Sequence, residues 1–384
     1  MRTPVFIGSA FVAKYPEGGG NFWVPLQYLL GLRALGVDAH WVELVWRQES
    51  AARAAEIVTS FPAYLLALGV QDWVTLVVYP ESERDQPSGP VRHIGLPPET
   101  LWERARDGIL LNLANSIPVP LRAHFGRTVL FDIDPGPFQI WARDTDLGVG
   151  KHDGYLTIGQ NLGAPDCPVP LDDVPWQRVW PTVHLPAWPE QIAPDGGHYT
   201  TVTQWWNGTW VRLGEETLDG NKRSGFLGMV ELPERVDVAL ELAANIHPGE
   251  LEDRALLARH RWHLVDPVAV AGTAVKFRDY VQRSRGEFSC AKPAYVRTRP
   301  GWVSDRTVCY LASGRPCVVQ DTGAAHLLPS SSGLRFFTSL DEAAEALRAI
   351  ERDYHTAARA ARTLAEELFS TAAVLPGLLR AAGA

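Results

Sequence analysis

Pro300-Gly301-Trp302-Val303-Ser304-Asp305-Arg306-Thr307-Val308-Cys309-Tyr310-Leu311-Ala312-Ser313-Gly314-Arg315-Pro316 is followed directly by Cys317-Val318-Val319-Gln320 and then by Asp321-Thr322-Gly323. The run reads as a turn, a short helix with Ser304 or Asp305 available as its cap, a Gly-Arg-Pro stop, a buried strand and a polar glycine turn at the strand's carboxyl end. In an open parallel sheet, ligands bind where strands end and helices begin. Free helix N–H groups and the positive end of the helix dipole attract phosphate there. A phosphate-bearing ligand such as a nucleotide or sugar phosphate is therefore the first expectation.

Working outward, the same alternation recurs on both sides. Residues 4–8 read as an opening buried strand, Gly18-Gly19-Gly20-Asn21 as a loop, residues 24–36 as an amphipathic run and residues 40–45 as the next strand. This β–loop–α–β unit places the glycine loop at the carboxyl edge of a sheet. Strand patterns follow at 73–79, 109–113, 128–133 and 155–158, with a helical pattern over 51–68. Such alternation predicts a doubly wound sheet. Proline then becomes dense between residues 164 and 194, which favours an extended connection and marks the domain junction. A second α/β series starts at the strand 199–203, continues through a helix over 235–245, a strand over 262–265 and a helix over 275–283, and reaches the opening motif. Residues 340–368 read as helical with a break near Tyr354-His355. The division is thus 1–190, 191–365 and a helical tail over 366–384.

A chain of 384 residues exceeds what one core normally organises, in keeping with two domains. Its formal net charge of −8 argues against a general nucleic-acid binder, while a local basic patch can still serve one phosphate. No apolar run approaches the length of a membrane span, and the amino terminus enters a strand directly, so a cytoplasmic protein without an integral membrane segment is expected. Cys167, Cys290, Cys309 and Cys317 lack the close pairing of a zinc site and read as reduced, buried thiols. The 14 tryptophans fit either a sugar pocket or ordinary core.

Candidate chemistry concentrates at a few places. Asp132 and Asp134 stand two apart at a strand end before Pro135-Gly136, so that alternation puts both carboxylates on one side, as a base whose partner raises its pKa or as a pair binding hydroxyls. Solvated acids in a capped turn are the bland alternative. His152, next to Asp153, is a candidate base, although a surface loop explains it as well. Lys292, Arg297, Ser304 and Arg306 gather charge and a hydroxyl before or at the phosphate-facing helix. Asp305 would repel a diphosphate there unless it met a hydroxyl or an arginine, and the turn of Asp321, Thr322 and Gly323 could hold sugar hydroxyls. Gly19, Gly20 and Asn21 either let backbone amides approach a ligand or form a plain turn. Hydrolase elbows, metalloprotease helices and EF-hand loops are absent from the sequence.

Taken together, the 301–316 helix with its Ser313-Gly314-Arg315-Pro316 ending, the Val318-Val319 strand and the Asp321-Thr322-Gly323 turn resemble the donor-binding segment of nucleotide-sugar-dependent glycosyltransferases of the GT-B fold. The glycine loop at 18–21 and the helical tail fit the same plan. Where some members carry paired glutamates, this chain has Gly301 and Cys309. The resemblance implies two Rossmann-like domains facing across a cleft, an acceptor in the first and a nucleoside-diphosphate sugar in the second. It implies metal-independent transfer of a hexosyl group to a hydroxyl or amine of a small-molecule or polymer acceptor, with no cofactor beyond the donor. Asp134 is then the leading catalytic candidate, with Asp132 and His152 beside it; self-association stays open. A sugar-nucleotide epimerase or hydrolase, or a catalytically silent partner subunit, would use the same architecture.

Overall fold

The computed structural model describes residues 3–48, 50–82, 87, 89–191, 196–329 and 331–384. Pro194, the last proline of the proposed junction, lies outside them.

Eight strands form the first sheet: β1 Val5–Ser9, β2 Ala39–Val45, β3 Val74–Val78, β4 Arg92–Ile94, β5 Ile109–Leu113, β6 Arg127–Asp132, β7 Gly154–Thr157 and β8 Gln177–Arg178, in the order β4-β3-β2-β1-β5-β6-β7-β8. All pairings are parallel except β3 with β4. Strands β1, β2, β3 and β5 are buried along their whole length, which is why they read as continuous apolar runs instead of alternating ones. A second sheet, fully parallel, follows after the junction. It is built from β9 Tyr199–Gln204, β12 Leu240–Asn245, β13 His263–Val265, β14 Gly286–Ser289, β15 Cys317–Gln320 and β16 Leu334–Phe337, in the order β13-β12-β9-β14-β15-β16. Between β9 and β12 a hairpin, β10 Trp210–Leu213 and β11 Glu216–Asp219, stands apart from both sheets.

Two expected elements come out differently. Residues 235–245 were expected as a helix, yet only Leu232–Arg235 is helical and Leu240–Asn245 is the strand between β9 and β13. The Ala, Leu and Glu of this segment favour a helix intrinsically, and burial on both faces of the sheet overrides that preference. Gly19, Gly20 and Asn21, expected in a loop, form the first turn of the helix Gly19–Ala34. A Cβ on Gly19 would stand 2.2 Å from the Thr273 carbonyl oxygen and 2.3 Å from that of Ala271, so the glycine permits backbone of the second half to press against this helix end.

That contact is part of a continuous seam. Trp23 donates to the Ala274 carbonyl at 2.8 Å and packs 4.7 Å from Trp188, which in turn meets Phe277 edge-on. Five of the tryptophans are buried in the core, Trp41, Trp188 and Trp205 being wholly enclosed, and all four cysteines are buried and free. The chain finally returns to its beginning: Phe369 and Thr371 bond Val183, and the last helix, Thr371–Ala382, lies on Gly19–Ala34 so closely that a Cβ on Gly31 would reach 2.3 Å from Thr371. Within the expected tail, the break falls at Asp353, which caps the helix Tyr354–Leu364. Among the described residues, no helix is long and apolar enough to cross a membrane.

Candidate functional site

A cleft of about 680 Å³ opens between the carboxyl edges of the two sheets. From the first half it receives residues 17–21 after β1 and Asp134 after β6; from the second it receives the ends of β9 and β12, Lys222, Lys292 and the corner Ser304, Asp305 and Arg306. Parallel strands sharing one direction bring these distant segments to a common edge, as the switch-point rule requires.

The corner is built as the sequence suggests. Ser304 caps the helix Asp305–Ala312, its side chain accepting from the Arg306 N–H at 3.2 Å. Arg306 is largely committed within the protein. Its Nε donates to Glu287 Oε1 at 2.7 Å, and its two terminal nitrogens donate to the Val202 carbonyl at 2.9 Å and the Ser289 hydroxyl at 2.5 Å. Glu287 is completely buried on β14, so the guanidinium compensates a charge that would otherwise be isolated in the interior. Asp305 lines the cleft with its carboxyl pushed up to about 6 by burial.

Sequence reasoning missed Lys222. The hairpin delivers it: Asp219 holds the Asn221 backbone and side chain at 2.8 Å each, and Asn221 accepts from the N–H groups of Asn207 and Gly208, which fixes the residue before Lys222. Lys222 is 8% exposed, and its ammonium makes no hydrogen bond or ion pair with any described residue and sits 5.7 Å over the Trp302 ring. Burial, reinforced by the nearby charges of Arg306 and Lys292, holds its ammonium well below the ordinary lysine range. The available signal was a lysine opening a short helix after a Gly-Asn turn, and it carries weight only once folding brings it beside Arg306 and Lys292.

Across the cleft, Lys292 Nζ meets Asp134 Oδ1 at 3.2 Å, an ion pair that joins the two halves. Asp132 does not share the cleft with Asp134, contrary to the expected pair. It is buried, with Oδ2 accepting from Gln139 and Thr157 at 2.7 Å each and Oδ1 from the Asp134 N–H at 2.9 Å. Burial, its largest influence, lifts its carboxyl to about 6. Its geometry is that of a brace setting the Asp134 turn, because the chain leaves strand geometry after Asp132 and the period-two rule lapses there.

The other candidates separate from the cleft lining. His152 lies in a buried cluster against Asn112 Nδ2 at 3.0 Å and the Arg122 guanidinium, its imidazole lowered to about 4 mainly by burial. Asp321 folds its own turn, Oδ1 accepting from the N–H groups of Gly323, Ala324 and Ala325 at 3.0 to 3.1 Å and Oδ2 facing Arg299. Thr322 donates to the Trp302 carbonyl at 2.7 Å, and Gly323 takes φ +86° where a side chain would strike Arg299. Arg297 is paired with Glu216 at 3.0 Å on the surface. The turn therefore steadies the 299–302 loop from behind and does not line the cleft, its polar groups being spent on backbone and on the Arg299 side chain.

No family model matches the chain, and no curated protein matches it in sequence. Solved structures do. AviGT4, a glycosyltransferase involved in avilamycin A biosynthesis, matches with a TM-score of 0.55 at 13% identity, covering 99% of this chain and 97% of that one. Alr3699/HepE of Anabaena, in complex with UDP and glucose, matches with a TM-score of 0.54 at 11% identity over 99% of each chain. An alpha-glucosyltransferase in complex with UDP and a 13-mer DNA gives 0.57 at 10% identity over 100% of each. Matching end to end through both sheets and the returning last helix, this chain has the GT-B fold, two Rossmann-like domains that face each other across the cleft.

Proposed function

We propose that the protein transfers a sugar from a nucleoside-diphosphate sugar to a hydroxyl or amine of a small-molecule or polymer acceptor. One observation carries the reading: Lys222, Lys292 and Arg306 converge on one wall of the cleft, and the Lys222 ammonium has no carboxylate partner among the described residues. Cations crowded at the cost of mutual repulsion form a site that an anion completes. The reading is further supported by the UDP named in two of the like-folded structures.

In this reading residues 191–365 hold the donor. Lys222, the Ser304 helix end and the remaining N–H groups of Arg306 receive the diphosphate as the bond between the anomeric carbon and the phosphate oxygen breaks and the electron pair leaves with the phosphate. These groups supply the positive charge that a divalent metal supplies elsewhere. Residues 1–190 hold the acceptor, whose oxygen or nitrogen forms the new bond to the anomeric carbon. Asp134, ion-paired with Lys292 across the cleft, receives the acceptor's proton. The helix start at Gly19, Gly20 and Asn21 forms the floor on the acceptor side.

A thermal-shift screen against UDP, GDP and TDP tests the donor half, since a ligand that binds only the folded chain raises its melting temperature. At least one diphosphate is expected to shift wild type and to fail on Lys222→Ala. Equal shifts in both chains would overturn the assignment of the cleft. Incubation of the matching diphosphate sugars with acceptor mixtures then reads transfer by product mass.

A further inference from the structure

The amino edge of the second sheet holds an arrangement that the cleft does not explain. Glu241 lies in β12 within an otherwise apolar run, 8% exposed, where a buried strand position is normally apolar. Its Oε1 accepts from the Tyr280 hydroxyl at 2.8 Å. Its Oε2 faces two imidazoles: His263 Nδ1 on β13 at 2.6 Å and His198 Nδ1, just before β9, at 3.7 Å. The parallel register sets Glu241 beside His263 and beside Thr200, so β12, β13 and the residue leading into β9 present the three side chains to one point. The two rings stand 5.1 Å apart and tilt by 30°. Among the described residues these form the grouping of His, Cys, Asp or Glu whose donor atoms all lie within 4.8 Å of one another.

We infer that His198, Glu241 and His263 form a binding site for one divalent transition-metal ion, Zn²⁺ by donor set, which clips β9, β12 and β13 together. Two imidazole nitrogens and one carboxylate oxygen are a zinc set, and a tetrahedral ion with bonds of about 2.0–2.2 Å spaces its ligands roughly 3.3–3.5 Å apart. The His198–Glu241 separation already has that value within a few tenths of an ångström. The His263–Glu241 contact must open by somewhat under 1 Å, which a side chain 56% exposed can do by rotation. Tyr280 supplies the outer hydrogen bond that orients a ligating carboxylate. A fourth position is left toward solvent, since both histidines are partly exposed. The site stands at the end of the strands opposite the cleft: β9 and β12 begin beside it, and their far ends, Gln204 and Asn245, line the cleft. It is therefore independent of the sugar-transfer reading and takes no part in that chemistry.

The test uses the full, untagged chain, stripped with a chelator and titrated with Zn²⁺ in competition with a chromophoric chelator. Wild type is expected to bind one equivalent. His263→Ala and His198→Ala each weaken binding at least tenfold, and Tyr280→Phe weakens it by a smaller factor. Zinc raises the melting temperature of wild type and leaves both histidine variants unmoved. X-ray absorption of the one-to-one complex should show two imidazole ligands and two oxygens, one from Glu241 and one from solvent, near 2 Å. Binding that survives unchanged in both histidine variants, or wild-type binding no tighter than His263→Ala, would overturn the site. Because both histidines are partly exposed, unaltered circular dichroism of the two variants verifies that loss of zinc is not loss of fold.

Discussion

The two sheets treat their wholly enclosed acids in opposite ways. On the first sheet, Glu43 and Asp132 are enclosed among neutral donors: Glu43 accepts from the Val12 and Ala13 N–H groups at 2.8 Å, from Ser9 and from Trp41, and burial lifts it to about 7. Asp132 is held the same way and rises to about 6. On the second sheet, Glu287 is met by a full guanidinium. The first sheet therefore needs no cation for its buried acids, and its half brings the carboxylates of Glu17 and Asp134 to the cleft, whereas the second wall carries a cation for its own interior and adds Lys222 and Lys292. Arg306, which looks from the sequence like a diphosphate ligand, is first of all a counter-charge to Glu287, whereas the Lys222 ammonium has no carboxylate partner among the described residues.

The largest test breaks the second wall's arrangement. Arg306→Ala strands Glu287 without a partner, and loss of one member of a buried pair typically costs about 3–5 kcal/mol. Adding Glu287→Gln should restore much of that stability in a chemical denaturation series without restoring diphosphate affinity. If the single variant keeps wild-type stability, the counter-charge reading fails.

A second test addresses Asp134, the acid of the first wall that pairs with Lys292. Asp134→Asn keeps the shape of the side chain and removes the proton acceptor, so turnover should fall about 100-fold while the diphosphate affinity stays within about threefold. A matching loss in affinity would mean that the carboxylate serves to hold Lys292 in place, and not the acceptor.

Much of the fold was legible because buried parallel strands announce themselves as apolar runs, and because Ser304, Gly314 and Pro316 punctuate one helix and its exit. The site was legible only in part. Ser304, Asp305, Arg306, Lys292, Asp134 and residues 19–21 do reach the cleft, since strand ends of a parallel sheet must. Asp321 and Thr322 occupy a strand end too, but their polar atoms are consumed by N–H and carbonyl groups nearby, a competition no spacing rule reveals. Lys222 was invisible because its meaning lies in a desolvated neighbourhood assembled from the hairpin, β14 and the Asp305–Ala312 helix. The glycines at 19 and 20 signalled a loop locally, and the contact across the seam decides otherwise.

The third test sharpens the contrast between a stabilising and a functional cation. Because the Lys222 pKa is depressed in the folded chain, the unfolded chain binds more protons between that depressed value and the ordinary value near 10.4. Lysine here thus costs stability, in full below the depressed pKa and progressively less as pH rises toward 10. Lys222→Met should raise the melting temperature near neutral pH and lower diphosphate affinity by about 30-fold, opposite signs from one change. A bound diphosphate favours the charged lysine, so in a pH series binding to wild type should take up protons where the pH lies above the depressed pKa, read by calorimetry in buffers of different ionisation enthalpy. Absence of buffer dependence in wild type throughout that series, or its persistence in Lys222→Met, would remove this lysine from the diphosphate site.

The smallest expected effect on binding belongs to Asp321, and its smallness is the point. Asp321→Ala leaves three N–H groups of the 323–325 turn without their acceptor and releases Arg299, a loss of the size of a helix cap, about 1–2 kcal/mol. The turn stands behind the loop that carries Trp302 and lies outside the cleft lining, so diphosphate affinity measured well below the melting temperature should change by less than about threefold. A sugar-hydroxyl ligand would behave otherwise, with affinity for the diphosphate sugar falling tenfold or more while that for the bare diphosphate held. Measuring both ligands on this one variant therefore separates a brace from a contact, and a loss confined to the sugar nucleotide would return the turn to the donor site.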